Sequence, residues 1–120
     1  MTLERLIQRT IRWSENDWLN LIVDLAQRYG YVVHHQRPAR VGTDGKWRDA
    51  IVGTSGFPDL VMAKDGRLII WELKLKGNTL TPHQQRWGDE LSAADAEYDV
   101  IWLPPRPDSE LIDGLIARLR

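Results

Sequence analysis

Cysteine is absent from the 120 residues of this chain, which excludes a disulfide framework, a thiolate zinc site and cysteine nucleophile chemistry. That suits a cytosolic protein. A surplus of charge is also missing. The formal net charge is −1, so the chain as a whole lacks the basic character usual in a general phosphate binder, and local basic segments must supply any attraction for nucleic acid. No continuous apolar run opens the sequence either. Met1 to Trp13 carries a charge every few residues, the pattern of neither a secretory leader nor a membrane span. Internal repeats, low-complexity tracts and linkers are missing as well.

What is present fits one soluble globular domain over residues 1–120. An apolar fraction of 42% and a charged fraction of 28% are ordinary for such a domain, and the length leaves little room for an added specificity module. Most of the six tryptophans belong in its core.

The most informative stretch is Gly56 to Lys74, GFPDLVMAKDGRLIIWELK. Two apolar runs, Leu60 to Ala63 and Leu68 to Leu73, flank Asp65-Gly66, the strongest short-range signal for a two-residue hairpin turn. With that turn, Lys64 faces Arg67 and Asp59 faces Glu72. Facing side chains lie about 5 Å apart at Cβ, and like charges placed so are destabilising unless something compensates. Lys74, two residues beyond Glu72, returns to the same face. One ammonium neutralises only part of the pair, whereas two facing carboxylates form a hard-oxygen site suited to Mg²⁺, with Mn²⁺ as substitute. The competing reading is a surface hairpin with an acidic pair and a lysine. Val61, Ile69, Ile70, Trp71 and Leu73 weigh against it, because they make a strand apolar on both faces, and carboxylates in such a strand need partners.

Pro58-Asp59 followed by Glu72-Leu73-Lys74 resembles the signature of the PD-(D/E)XK nuclease superfamily. Ser14-Glu15 opening a helix, Gly56-Phe57-Pro58-Asp59, Glu72-Leu73-Lys74 and Thr81-Pro82-His83-Gln84-Gln85-Arg86-Trp87, in that order, resemble its VRR-NUC branch, especially the small stand-alone bacterial and phage members. The resemblance spans about Ser14 to Leu103. It implies a restriction-endonuclease-like core, metal-dependent cleavage of DNA in the cytoplasm of a bacterial or phage-infected cell, and structure-selective cutting of four-way junctions by a homodimer.

Along the chain, Thr2 caps a short helix with Leu3, Leu6 and Ile7 on one side and Arg5, Arg9 and Arg12 on another. Residues 1–13 therefore read as a helical extension whose arginine stripe meets phosphates or solvent and whose apolar side can dock on a partner subunit. Ser14 is the N-cap of the next helix, Asp17 sits at N3 of a capping box, and Trp13 with Trp18 make a hydrophobic staple. Trp18, Leu21, Ile22, Leu25, Ala26 and Tyr29 repeat at helical spacing up to Gly30. Glu15 lies at the edge of that stripe. Its simpler role is interaction with the helix dipole; the resemblance implies that it completes the metal site.

Tyr31 to Gln36 reads as a strand with His34 and His35 on opposite faces, so at most one approaches the site. Gln36 to Ser55 is a long connection in which Arg37, Arg40, Lys46 and Arg48 outnumber Asp44 and Asp49. It reads as a DNA-contacting loop, with Trp47 either a hydrophobic tether or a base stacker, and Ala50 to Val52 as a short extra strand. Lys76 follows the hairpin and is available to phosphate. Thr81, Pro82 and Gln84 form a second capping box. Gln84, Trp87, Leu91 and Ala94 share a face, so Gln84 either closes the box or, as the resemblance implies, reaches the active site. Val100 to Leu103 is a short buried strand stopped by Pro104-Pro105. Asp108 or Ser109 caps a last helix packed through Leu111, Ile112, Leu115, Ile116 and Leu119. A hairpin continued through a helix to another strand requires a crossover, so the fold expected is α/β, a mixed sheet flanked by helices.

The mechanism expected is hydrolysis of DNA phosphodiester bonds with a divalent ion held by Asp59 and Glu72, by the Leu73 carbonyl, and by Glu15 directly or through water. Lys74 orients the attacking water and stabilises charge on the phosphate, with a general-base role also open, and Gln84 positions water or Lys74. A nickase, a flap-cutting or a restriction-type enzyme would share this site. A catalytically inactive DNA-binding module would share the fold.

Overall fold

In the computed structural model, residues 11–35, 39–40, 47–48 and 52–120 are described. The helix expected over residues 1–13 falls outside these up to Thr10, and Ile11 to Ser14 are non-helical. The first described helix, α1, runs over Glu15–Arg28 and starts where its caps dictate. The Ser14 hydroxyl accepts the Asp17 amide at 3.1 Å while the Asp17 carboxylate accepts the Ser14 amide at 2.8 Å. Trp13 and Trp18 meet edge to face, centroids 4.8 Å apart, and fix the angle of entry. Gly30, at φ 90°, ends the helix in the left-handed conformation.

The strands follow as β1 (Val32–His35), β2 (Ala39–Arg40), β3 (Trp47–Arg48), β4 (Leu60–Lys64), β5 (Arg67–Leu75) and β6 (Glu97–Leu103), with α2 (Pro82–Ala93) between the last two and α3 (Ser109–Leu119) closing the chain. Four strands form one sheet in the order β1-β4-β5-β6. β1 and β4 are antiparallel, as are β4 and β5, while β5 and β6 are parallel, so the sheet is mixed as the crossover required. The connection read as a structureless loop contains an antiparallel ribbon of its own, β2 with β3, in which Arg40 faces Trp47 and Ala39 faces Arg48. Two-residue strands are too short for hydrophobic alternation to mark them. Ala50 and Ile51 lie outside the described residues. Val52 is fully exposed in a bend, so no strand continues through it.

Period-two alternation divides the sheet into two faces. On one, Leu60, Met62, Ile69, Trp71, Leu73, Ile101 and Leu103 pack beneath Trp18, Ile22 and Ala26 of α1 and Leu115 and Leu119 of α3. The Trp18 indole donates to the Pro104 carbonyl at 2.8 Å, tying α1 to the end of β6. On the other face stand Ile70, Glu72 and Lys74 of β5 with Tyr98, Val100 and Trp102 of β6, crossed by α2. That second face is only partly covered, since Gly88 is the one buried residue of α2. The helix face expected to pack through Trp87, Leu91 and Ala94 is thus closer to the surface than its spacing suggested, and Gly88 makes the close contact by offering no Cβ to the Tyr98 ring.

Candidate active site

The site begins with the turn. Asp65 at φ 49° and Gly66 at φ 79° are both left-handed, the geometry a two-residue hairpin with right-handed twist requires. The resulting register pairs Lys64 with Arg67 and Leu60 with Trp71, which puts Asp59, one residue before β4, opposite Glu72. Asp59 is fastened there by its Oδ2, which accepts the Leu73 amide at 2.7 Å.

Glu72 is the one buried charged residue among those described, 3% exposed. Its carboxyl is pushed up to about 9, first by burial, then by the charge of Asp59 and a hydrogen bond with it, with Glu15 adding to the effect and Lys74 opposing it. Glu15, in the first turn of α1, is also raised, by burial and then by Asp59, again opposed by Lys74. Three segments distant in sequence therefore bring Glu15, Asp59, Glu72 and Lys74 within one another's fields. Burial and the neighbouring carboxylates thus favour a proton on Glu72 in this group.

The proton bears on the expected cation. Among the described residues there is no group of three or more His, Cys, Asp or Glu that could hold a metal ion. The Mg²⁺ or Mn²⁺ site expected of Asp59, Glu72, Glu15 and the Leu73 carbonyl is therefore corrected. One Asp59 oxygen is occupied by the Leu73 amide, and burial beside Asp59 favours the neutral form of Glu72. The residues do not fit a resident divalent ion.

Gln84 is engaged elsewhere too. Its Oε1 accepts the Thr81 amide at 2.9 Å, and the Thr81 hydroxyl accepts the Gln84 amide at 3.2 Å, so the side chain closes the capping box of α2. Of the residues expected at DNA, Arg40, Trp47 and Arg48 lie on the β2–β3 ribbon, Lys76 is exposed just after β5, and Arg37 and Lys46 lie outside the described residues. His34 is exposed on the face of Val61, while His35 stands on the core face and its buried Nδ1 has no partner among the described residues.

Two neighbours of the site escaped the sequence reading. Tyr98 stands on the face of Glu72, two residues before its strand partner Val100, and its phenol is raised by burial and then by the Glu72 charge. Reading the last strand from Val100 left Tyr98 outside it. Gly56 has φ 87°, and a Cβ there would lie 2.8 Å from the backbone of both His83 and Gln84. It clamps the segment entering Asp59 to the start of α2. Only the glycine itself, two residues before Pro58, hinted at this.

No family model matches the chain, and no curated protein does. Among solved structures the chain is similar to one described as "VRR_NUC domain", with a TM-score of 0.48 and 20% identity over 82% of this chain and 92% of that one. At such identity the likeness says nothing of activity.

Proposed function

We propose that the chain is a nuclease that hydrolyses phosphodiester bonds of DNA, with Asp59, Glu72 and Lys74 as its reacting groups. The observation that carries this reading is the placement of Glu72: a carboxyl in the middle of a buried strand, facing a second carboxyl across a hairpin, with burial and Asp59 raising its titration. Buried acids with such displaced titration cluster at functional sites. The ordered motifs around it support the choice of DNA.

In this reading Glu72 enters the reaction neutral and gives its proton to the leaving oxygen, work typically worth about 10²- to 10⁴-fold in rate. Lys74, on the same face, receives the phosphate and stabilises the charge that grows on it. Glu15, whose raised titration makes it the better base, takes the proton of the attacking water. Asp59, held by the Leu73 amide, accepts the Glu72 hydrogen bond, and the proton that Glu15 took from water returns to Glu72 through solvent after the product leaves. Arg37, Arg40, Lys46, Arg48 and Lys76 hold the DNA backbone, Trp47 stacks on a base or sugar, and the whole chain acts as one unit. Symmetric cuts on a four-way junction need two such sites, which implies a homodimer.

The absence of a three-ligand group among the described residues favours a second reading, a DNA-binding module without chemistry. A panel of labelled four-way junction, flap, single-stranded and linear duplex DNA, run with and without chelator, separates the two. Cleavage of branched DNA that Glu72→Gln abolishes is the expected result. Binding without cleavage supports the module, and cleavage unchanged in the variant removes Glu72 from the mechanism. A light-scattering mass of one chain with DNA bound removes the homodimer.

A further inference from the structure

Of the tryptophans Trp13, Trp18, Trp71, Trp87 and Trp102, only Trp102 is exposed, at 41%. It stands on β6 as the strand partner of Lys74, and Glu72 pairs with Val100 one step back along the same face. Adjacent strands lie about 5 Å apart and two residues along a strand span about 7 Å, so the Trp102 Cα is about 5 Å from that of Lys74 and, on the diagonal, less than about 10 Å from that of Glu72. Cations gather at this end of the sheet. The Lys76 amide donates to the Leu103 carbonyl at 2.8 Å, which fastens Lys76 against the residue after Trp102. The Trp13 amide donates to the Pro105 carbonyl at 2.7 Å, which brings Arg12 to the segment of Arg106. Arg12, Lys76 and Arg106 are exposed, Lys74 is half-buried, and none of the four is in an ion pair among the described residues. Asp17 and Asp108, in the same two segments, are engaged at helix starts, accepting the Ser14 amide at 2.8 Å and the Leu111 amide at 3.1 Å.

From this arrangement we infer that Trp102 stacks on one unpaired nucleobase of the DNA whose phosphates meet Lys74 and Lys76. The inference rests on the nuclease reading and narrows its substrate to DNA with exposed bases. An indole offers a flat face that an unpaired base can cover, whereas a continuous duplex keeps its bases stacked on one another. Cations beside the ring are what a nucleotide needs beyond the stack, because every base brings a phosphate with it. A protein interface centred on Trp102 would instead bury Lys74 and Lys76, and lysine is depleted from such interfaces. The register also ties the stack to the reaction. Trp102 is paired directly with Lys74, and Lys74 shares its strand and face with Glu72, so a base held on the indole positions the adjoining phosphate through rigid sheet rather than through a loop.

The test separates a base from a phosphate. The full chain carrying Glu72→Gln, to prevent cleavage, is titrated by fluorescence anisotropy with a short oligothymidylate and with an oligomer of the same length made of abasic sites, which keeps every phosphate and has no base. Trp102→Ala is expected to weaken binding of the oligothymidylate by about tenfold, the scale of one lost base stack, and to leave the abasic oligomer unchanged. Trp102→Phe, which keeps an aromatic face, should retain most of the parent affinity. Lys76→Ala should weaken both oligomers alike. Unchanged binding of the abasic oligomer also shows that Trp102→Ala is folded. Parent-like binding of the oligothymidylate by Trp102→Ala, or equal loss on the two oligomers, overturns the inference. A light-scattering mass of two chains without DNA that falls to one in Trp102→Ala overturns it as well, by giving this surface to a second copy. So does a parent chain that binds neither oligomer, whereas cleavage of the DNA panel by the unsubstituted chain decides the nuclease reading separately.

Discussion

The Leu73 amide donates to Oδ2 of Asp59 at 2.7 Å, one residue along β5 from the glutamate that Asp59 faces. A backbone donor on the neighbouring strand thus holds Asp59 in place, and the opposing carboxyl adapts to it by keeping its proton. The pair is a product of register: a slip of one residue would turn Glu72 to the core face and send Trp71 and Leu73 out of it.

This pairing makes stability depend on pH. The Glu72 titration in the folded chain is raised from 4.5 to about 9, so the folded state binds the proton more tightly than the unfolded one. The contribution is complete below the unfolded value and is lost as the pH climbs through the folded one. The unfolding free energy from urea titration is therefore expected to fall steadily between about pH 5 and pH 9, by an amount on the order of a few kcal/mol. Glu15, raised in the same direction, adds to the slope. Glu72→Gln, which cannot ionise, should flatten the profile. An unfolding free energy that is level or rising across that window in the parent chain contradicts the protonated pair.

Magnesium is expected to leave the melting temperature unchanged at neutral pH. A site occupied at one hundred times its dissociation constant would add about 2.7 kcal/mol to stability, a readily seen shift. None is expected, because no three-ligand group is present among the described residues and burial favours the neutral form of Glu72. A magnesium-dependent rise that vanishes in Glu72→Gln would show the ion displacing that proton, and would restore the site expected from sequence.

Much of this site could be read before the fold was known, for physical reasons. Asp-Gly between two apolar runs specifies a turn, the turn specifies a register, and the register alone puts Asp59 opposite Glu72. Ser14 with Asp17 and Thr81 with Gln84 are reciprocal side-chain bonds, local enough to be legible without tertiary context. What failed were choices between two partners. Gln84 serves the cap because that bond is closed within its own turn. The acidic cluster favours a proton where a cation was expected because burial, the largest contribution to the Glu72 shift, is a tertiary property that no local pattern describes. Tyr98 and Gly88 belong to the same class: their contact joins a helix to a strand, and neither residue announces it alone.

Gly56 and Gly77 offer a matched pair of substitutions. Both have positive φ, 87° and 96°, so alanine at either meets the same left-handed penalty of about 1–2 kcal/mol. Only at Gly56 does the added Cβ also strike backbone, 2.8 Å from both His83 and Gln84, whereas nothing lies within 4 Å at Gly77. Backbone at the start of a capped helix cannot swing aside as a side chain would. Gly56→Ala should therefore cost clearly more than Gly77→Ala in chemical denaturation, and it should also displace Asp59 and depress any DNA cleavage. Equal losses in the two variants would mean that α2 is free to move away from the hairpin.

Arg67 anchors the opposite end of β5, and its guanidinium explains why lysine should not replace it. Nε and Nη2 donate to the two Glu97 oxygens at 2.6 and 2.9 Å, Nη2 also reaches the Arg118 carbonyl at 2.8 Å, and Nη1 meets the Tyr31 hydroxyl at 2.7 Å and the Arg120 carbonyl at 3.2 Å. One planar group thus joins the hairpin, the start of β6, the approach to β1 and the last carbonyls of α3. A lysine presents a single ammonium and cannot span these directions at once. The side chain is about a third exposed, so solvent discounts the ionic part, and a loss of about 1 kcal/mol is expected for both Arg67→Lys and Arg67→Ala. The hydrogen bond from Arg67 also holds the Glu97 carboxyl below its ordinary range, so this contribution is present above that range and fades as the pH falls into the acid region. Denaturation at about pH 7 and in mild acid measures both effects. If Arg67→Lys matches the parent chain at neutral pH, charge alone holds this end of the sheet and the fork geometry is incidental.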